Sequence, residues 1–173
     1  MTNKDKIRLS KSLNILHYCI YIIHYKIHLF VNRINPFRLI HKLPFQKKKY
    51  KELGINIDEE INKSFYDRKN GLSLIFAGGI SLIILFFFLV GFSSLLIKIF
   101  ISEFRLNTIF ITIIFISSFL LCYIIIFRKD RYLEYFEKYD TWIPRVKYQN
   151  LMLSIIFTIV SILIFLMSFI QLF

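Results

Sequence analysis

Three long stretches of the chain are rich in apolar residues and contain no charged side chain. They cover residues 72–97, 106–127 and 150–173. About 20 apolar residues in a helix, at a rise of 1.5 Å per residue, cross the roughly 30 Å hydrocarbon core of a bilayer. Each stretch is longer than that. The pattern therefore predicts an all-α integral membrane protein with three transmembrane helices.

The first predicted span carries small residues that favour close helix packing. Glycine, alanine and serine allow the backbones of two membrane helices to approach each other. The helix-packing candidates are Ala77, Gly78, Gly79, Ser81 and Gly91.

The spans divide the chain into four predicted segments. Residues 1–71 form a basic N-terminal region at the cytoplasmic membrane surface, and residues 72–127 form a transmembrane helical hairpin. A cytoplasmic amphipathic connector follows at 128–149, and the third transmembrane helix covers 150–173.

A further helical pattern at residues 13–31 carries one polar stripe. Spacings of three and four residues return to the same face of a helix. Lys26 lies on the opposite face, so a spanning helix could not place every polar group against protein or water. We therefore expect an amphipathic helix that lies at the membrane interface or packs on protein, with a fourth span as the alternative. The stripe consists of His17, Tyr21, His24 and His28.

The histidines of this stripe raise the question of a metal or haem site. His24 and His28 could supply two nitrogen ligands to zinc. However, no cysteine lies on that face, no carboxylate is near in sequence, and the three predicted spans contain no histidine to complete a haem site. We therefore expect no cofactor, metal or catalytic residue, and we interpret the stripe as a contact with lipid or a partner.

A lysine cluster follows the predicted helix. Lysines near an anionic leaflet each contribute on the order of 1 kcal/mol to membrane attraction. The cluster is therefore a candidate contact with anionic lipids of the cytoplasmic leaflet, although it also fits a simple topology signal. It consists of Lys47, Lys48, Lys49 and Lys51.

Residues 130–140 have the pattern of a strongly amphipathic helix. One face is aromatic, and we expect its rings to rest at the bilayer interface, where amphipathic rings are favoured. The opposite face is acidic, and we expect it to point to the cytoplasm, either solvated or docked on a basic surface. The acidic residues are Asp130, Glu134, Glu137 and Asp140.

The charge distribution predicts the topology. The chain has 23 Lys and Arg against 11 Asp and Glu. Fifteen of the 23 basic residues precede the first span and six lie in the 128–149 loop. By the positive-inside rule, the N-terminus is cytoplasmic and the C-terminus lies outside a bacterial inner membrane. This topology accounts for most of the net charge of +12, so we expect no nucleic-acid partner.

Two absent features make a transporter or an enzyme less favoured as the function. The predicted spans have no ionisable group of the kind that carriers use to hold cargo or protons, and no catalytic motif is recognisable. We therefore expect a non-enzymatic accessory, scaffold or assembly subunit that binds other membrane subunits. A homo-oligomeric membrane effector or channel, of the defence or lysis type, is the alternative, and a membrane enzyme is the third.

Overall fold

The computed structural model describes residues 3–36, 40–101 and 104–170, with side chains described from residue 10 onward. Every regular element within these ranges is a helix. A π-helix, Tyr123–Phe127, and a 3-10 turn, Arg128–Asp130, join the fifth helix to the sixth. The α-helices are α1 (Asn3–Ile34), α2 (Pro44–Glu52), α3 (Ile57–Tyr66), α4 (Leu72–Phe100), α5 (Thr108–Cys122), α6 (Arg131–Asp140) and α7 (Pro144–Met167).

Three helices are long and apolar enough to cross a membrane. They are α4, the segment Thr108–Asp140, whose apolar part is α5 with the π-helix, and α7. The predicted all-α fold with three apolar helices is thereby confirmed, and it fits a multi-pass membrane protein. Residues 13–31 lie within α1, which is not one of these three helices.

The chain forms two compact units. One contains Met1–Ile20 together with Gly79–Phe173, and the other contains Tyr21–Gly78. Helices α1 and α4 therefore each contribute residues to both units.

Helices α4 and α7 approach closely in the first unit because Gly91 has no side chain. A Cβ atom at Gly91 would lie 2.7 Å from the backbone carbon of Ile164 and from the backbone nitrogen of Phe165. Nearby, the rings of Phe87 and Phe165 stack with centroids 4.4 Å apart. A side chain at position 91 would therefore collide with the backbone of α7.

The other small residues of α4 differ in their surroundings. Ala77, Gly78 and Ser81 are buried, whereas Gly79 is exposed. Within the described part of the chain, no heavy atom outside the local helix lies within 4 Å of a Cβ built at Gly79. Gly79 therefore makes no close helix contact in this fold.

A sharp turn separates α5 from α6. Lys129 and Asp130 have φ angles of 59° and 52°, in the left-handed region that costs residues other than glycine roughly 1–2 kcal/mol. These two left-handed residues break the helix and change the direction of the chain. The amphipathic helix α6 is therefore a separate rod rather than an extension of the apolar helix.

Candidate functional site

The buried side of α1 contacts α6 through rings that we call the aromatic cluster. The ring of Tyr18 lies 5.2 Å from Phe136 and 5.5 Å from Tyr139, and the His17 ring lies 5.5 Å from Phe136. Aromatic pairs at such distances contribute about 0.5–1.5 kcal/mol beyond the area they bury. The cluster therefore fixes α6 against α1. It consists of His17, Tyr18, Phe127, Tyr132, Phe136, Tyr139 and Trp142.

This packing corrects the expected position of the aromatic face of α6. Tyr132, Phe136 and Tyr139 are 5%, 0% and 1% exposed, so they lie inside the protein rather than at the bilayer interface. His17 and Tyr21 are also buried, at 0% and 1% exposure. Both side chains therefore contact other parts of this chain. A row of rings fits a facing helix as well as it fits a membrane interface, and the sequence pattern is the same for both.

His17 also connects the aromatic cluster to α4. Its Nδ1 atom lies 3.4 Å from the Oγ atom of Ser81, which is fully buried. The imidazole thus lies where α1, α4 and α6 meet. Its surroundings are those of a core residue.

Asn14 is a buried polar residue that the sequence analysis did not identify. Its Nδ2 atom donates to the carbonyl oxygens of Ser10, at 2.8 Å, and Ile125, at 3.2 Å. Ile125 belongs to the π-helix that ends at Phe127, where the last carbonyl groups have no partner within the helix. Asn14 therefore satisfies a buried helix end. Its side-chain oxygen is buried without a hydrogen-bond partner among the described residues.

Tyr18 joins the aromatic cluster to the acidic face of α6. Its hydroxyl donates to the Oδ1 atom of Asp140 at 2.8 Å. The ammonium group of Lys147 lies 5.4 Å from the centre of the Tyr18 ring, within the range of a cation–π contact. These contacts fix the C-terminal end of α6 as the rings fix its middle.

The four acidic residues predicted as a partner contact are all exposed. Asp130 and Asp140 lie at the two ends of α6, and Glu134 and Glu137 lie between them. Because the aromatic face of α6 is buried in the protein, its acidic face points outward. Glu134 and Glu137 are therefore accessible in the middle of the row, while Asp140 at its end also accepts the hydrogen bond from Tyr18.

In the second unit, the remaining residues of the polar stripe pack against α3 and the start of α4. Tyr21 donates its hydroxyl to the carbonyl oxygen of Tyr66 at 2.6 Å. The His24 ring stacks on Phe76 at 4.0 Å, and its Nδ1 atom lies 3.0 Å from the Oγ atom of Ser73. These residues form contacts within the chain.

His28 completes this stacked arrangement. Its ring lies 3.4 Å from that of Phe65, nearly parallel to it. Burial lowers the pKa of His24 and of His28 below their usual 6.5, and the neighbouring His28 lowers that of His24 further. Among the described residues, no group of three His, Cys, Asp or Glu side chains could hold a metal ion.

The lysine cluster lies on α2. The side chains of Lys47, Lys48, Lys49 and Lys51 are all exposed. They do not share one face of the helix, because only residues three or four positions apart are neighbours on its surface. Lys51 is a neighbour of both Lys47 and Lys48, four and three positions away, and Lys49 points away from Lys51.

A groove of about 500 Å³ lies between α1, α4 and α7 in the first unit. Its walls include Leu16, Leu85, Phe88 and Phe157, with Asn150 and Ser154 as polar members. Asn150 donates to Val146 and Ser154 donates to Asn150 along α7, at 2.9 and 2.8 Å. Because these donors are used within the helix, the groove presents a mainly apolar surface.

Comparisons with protein families, with curated proteins and with solved structures give no match to this chain.

Proposed function

We propose that this chain is a non-enzymatic accessory or assembly subunit of a multi-subunit membrane complex. The observation that carries the proposal is the anchoring of α6 by its aromatic face, which leaves its four carboxylates exposed. A helix that is already held in place loses little conformational entropy when it docks, so a larger part of the contact energy contributes to binding affinity. A row of carboxylates on such a helix is complementary to a basic surface of a partner.

The apolar helices provide the second support for this proposal. Large side chains are exposed along them, among them Ile109 at 73% and Phe100 at 85%. Three helices bury little of this surface against one another, so lipid or further helices must cover it. We assign the membrane to a bacterial inner membrane, with the N-terminus cytoplasmic and the C-terminus outside, on the distribution of lysine and arginine.

Purification in a mild detergent at native expression level tests the proposal. Mass spectrometry would identify the proteins that elute with the chain, and native mass measurement would give the particle composition. We expect other membrane proteins at fixed stoichiometry. A particle that contains only copies of this chain would contradict the subunit function and favour the homo-oligomeric effector or channel.

A charge-matched pair of variants tests the role of α6. Glu134→Gln with Glu137→Gln removes two carboxylates from the acidic row, and we expect it to reduce recovery of the partner. Glu52→Gln with Glu60→Gln removes the same charge from exposed positions on α2 and α3 and should leave recovery unchanged. Equal recovery with both variants would show that the row is not the docking surface.

A further inference from the structure

We propose that the second unit contains a binding site for the phosphate group of an anionic ligand. A cavity of about 610 Å³ lies beside α2 and the start of α3. This volume is within the range of small-molecule sites. The chemistry of its lining points to an anion, because Lys42, Lys47 and Lys51 all contribute to it together with His41 and Tyr50. The proposal does not depend on the subunit function.

Two of the lysines of α2 that line the cavity, Lys47 and Lys51, are four positions apart. Lys47, Tyr50 and Lys51 fall within about 100° on the helical wheel, because their spacings are three and four residues. Lys49 lies on the other side of α2, and Lys48 lies between the two sides, about 60° from Lys51; neither lines the cavity. Lys47 and Lys51 thus share a side of α2 with Tyr50, where their ammonium groups can act on one ligand together.

Helix α2 ends beside the cavity in a Schellman motif. The backbone nitrogen of Ile55 donates to the carbonyl oxygen of Tyr50 at 2.9 Å, and that of Gly54 donates to Lys51 at 3.2 Å. Gly54 has a φ of +65°, which glycine adopts without steric cost. The turn brings residues 55–58, at the start of α3, into the lining of the same cavity as the lysines.

His41 and Tyr50 add neutral hydrogen-bonding groups to the lysines. The Nδ1 atom of His41 lies 2.8 Å from the Tyr50 hydroxyl. When the hydroxyl donates to Nδ1, the neutral imidazole carries its proton on Nε2, where it can be donated to a phosphate oxygen. Asp58 contributes one carboxylate, so the lining has two net positive charges with His41 neutral. That charge suits a phosphate monoester, which carries between one and two negative charges near pH 7.

The test uses the full chain in nanodiscs of phosphatidylcholine, a lipid without net charge. Binding of inorganic phosphate is measured by calorimetry, and binding of added phosphatidic acid is measured by native mass spectrometry. The cavity variant is Lys47→Gln with Lys51→Gln, and the control is Lys48→Gln with Lys49→Gln, which removes the same charge from the same helix. Lys42→Gln is an independent variant because Lys42 precedes α2.

We expect the cavity variant to lose about tenfold or more in affinity and Lys42→Gln to lose several-fold, with the control changed less than threefold. Loss confined to phosphatidic acid identifies a lipid headgroup as the ligand. Loss for inorganic phosphate as well identifies a site open to free phosphate compounds. The proposal is overturned if the original chain binds neither probe, or if the cavity and control variants have equal affinities.

Discussion

The contact of α4 with α7 at Gly91 makes a quantitative prediction for a single methyl group. In Gly91→Ala, the new Cβ would lie 2.7 Å from the backbone of Ile164 and of Phe165, about 0.7 Å short of an ordinary contact of 3.4 Å. Those atoms belong to the backbone, so rotation of a side chain cannot relieve the clash. The two helices must separate locally, which also weakens the stacking of Phe87 on Phe165.

Overpacking of this kind typically costs about 1–3 kcal/mol. Alanine also favours a helix over glycine by roughly 0.5–1 kcal/mol, which offsets part of that cost. Gly79→Ala supplies the matched control, because it makes the same chemical change in the same helix at an exposed position. Both variants gain the same helix propensity, so this contribution cancels when their free energies of unfolding are compared. We expect Gly91→Ala to be less stable than Gly79→Ala by about 1–3 kcal/mol.

Unfolding of the purified monomer in mixed micelles, as the fraction of SDS is increased, measures this difference. Far-UV circular dichroism and tryptophan fluorescence should report one transition, and a bulkier Gly91→Leu variant should destabilise further. Equal stability of Gly91→Ala and Gly79→Ala would refute the reasoning, since it would mean that α4 and α7 do not approach closely at Gly91.

Three further predictions concern α1, α6 and the turn before α6. Phe136→Ala should lower the free energy of unfolding by about 3–5 kcal/mol, because it empties the centre of the aromatic cluster; SDS titration measures it. Because burial lowers the pKa of His24 and His28, the unfolded chain binds more protons near their usual pKa of 6.5. The free energy of unfolding should therefore be highest above pH 6.5 and should decrease as the pH falls below that value. Thermal unfolding in detergent should show this as a lower transition temperature at acidic pH. Lys129→Gly should raise stability by up to about 1 kcal/mol, since glycine adopts a φ of 59° without strain but loses more entropy on folding.

Each of these predictions has an outcome that would contradict it. A loss below about 1 kcal/mol in Phe136→Ala would mean that α6 is not held by the aromatic cluster. An unchanged pH dependence after His24→Phe with His28→Phe would place the titrating groups elsewhere. A destabilised Lys129→Gly variant would mean that the turn does not require left-handed residues.

The sequence by itself determined the three apolar helices and the amphipathic pattern of residues 130–140. Both follow from local properties: a charge-free run is either long enough for a bilayer or not, and helical spacing assigns residues to faces wherever the helix lies. The acidic face of α6 could be identified for the same reason, because its carboxylates are exposed whichever surface the opposite face contacts.

The tertiary structure alone decided what each face contacts. His17 and Phe136 are separated by more than 100 residues, and each would also fit a membrane interface, so neither local pattern indicates that they pack together. Gly79 and Gly91 are both glycines of the same apolar helix, but of the two only Gly91 lies against another helix. Lys47 and Lys48 are likewise adjacent and identical in charge, and only the fold places Lys47 at the cavity. Contacts between distant segments depend on complementary shapes, which residue type and spacing do not specify.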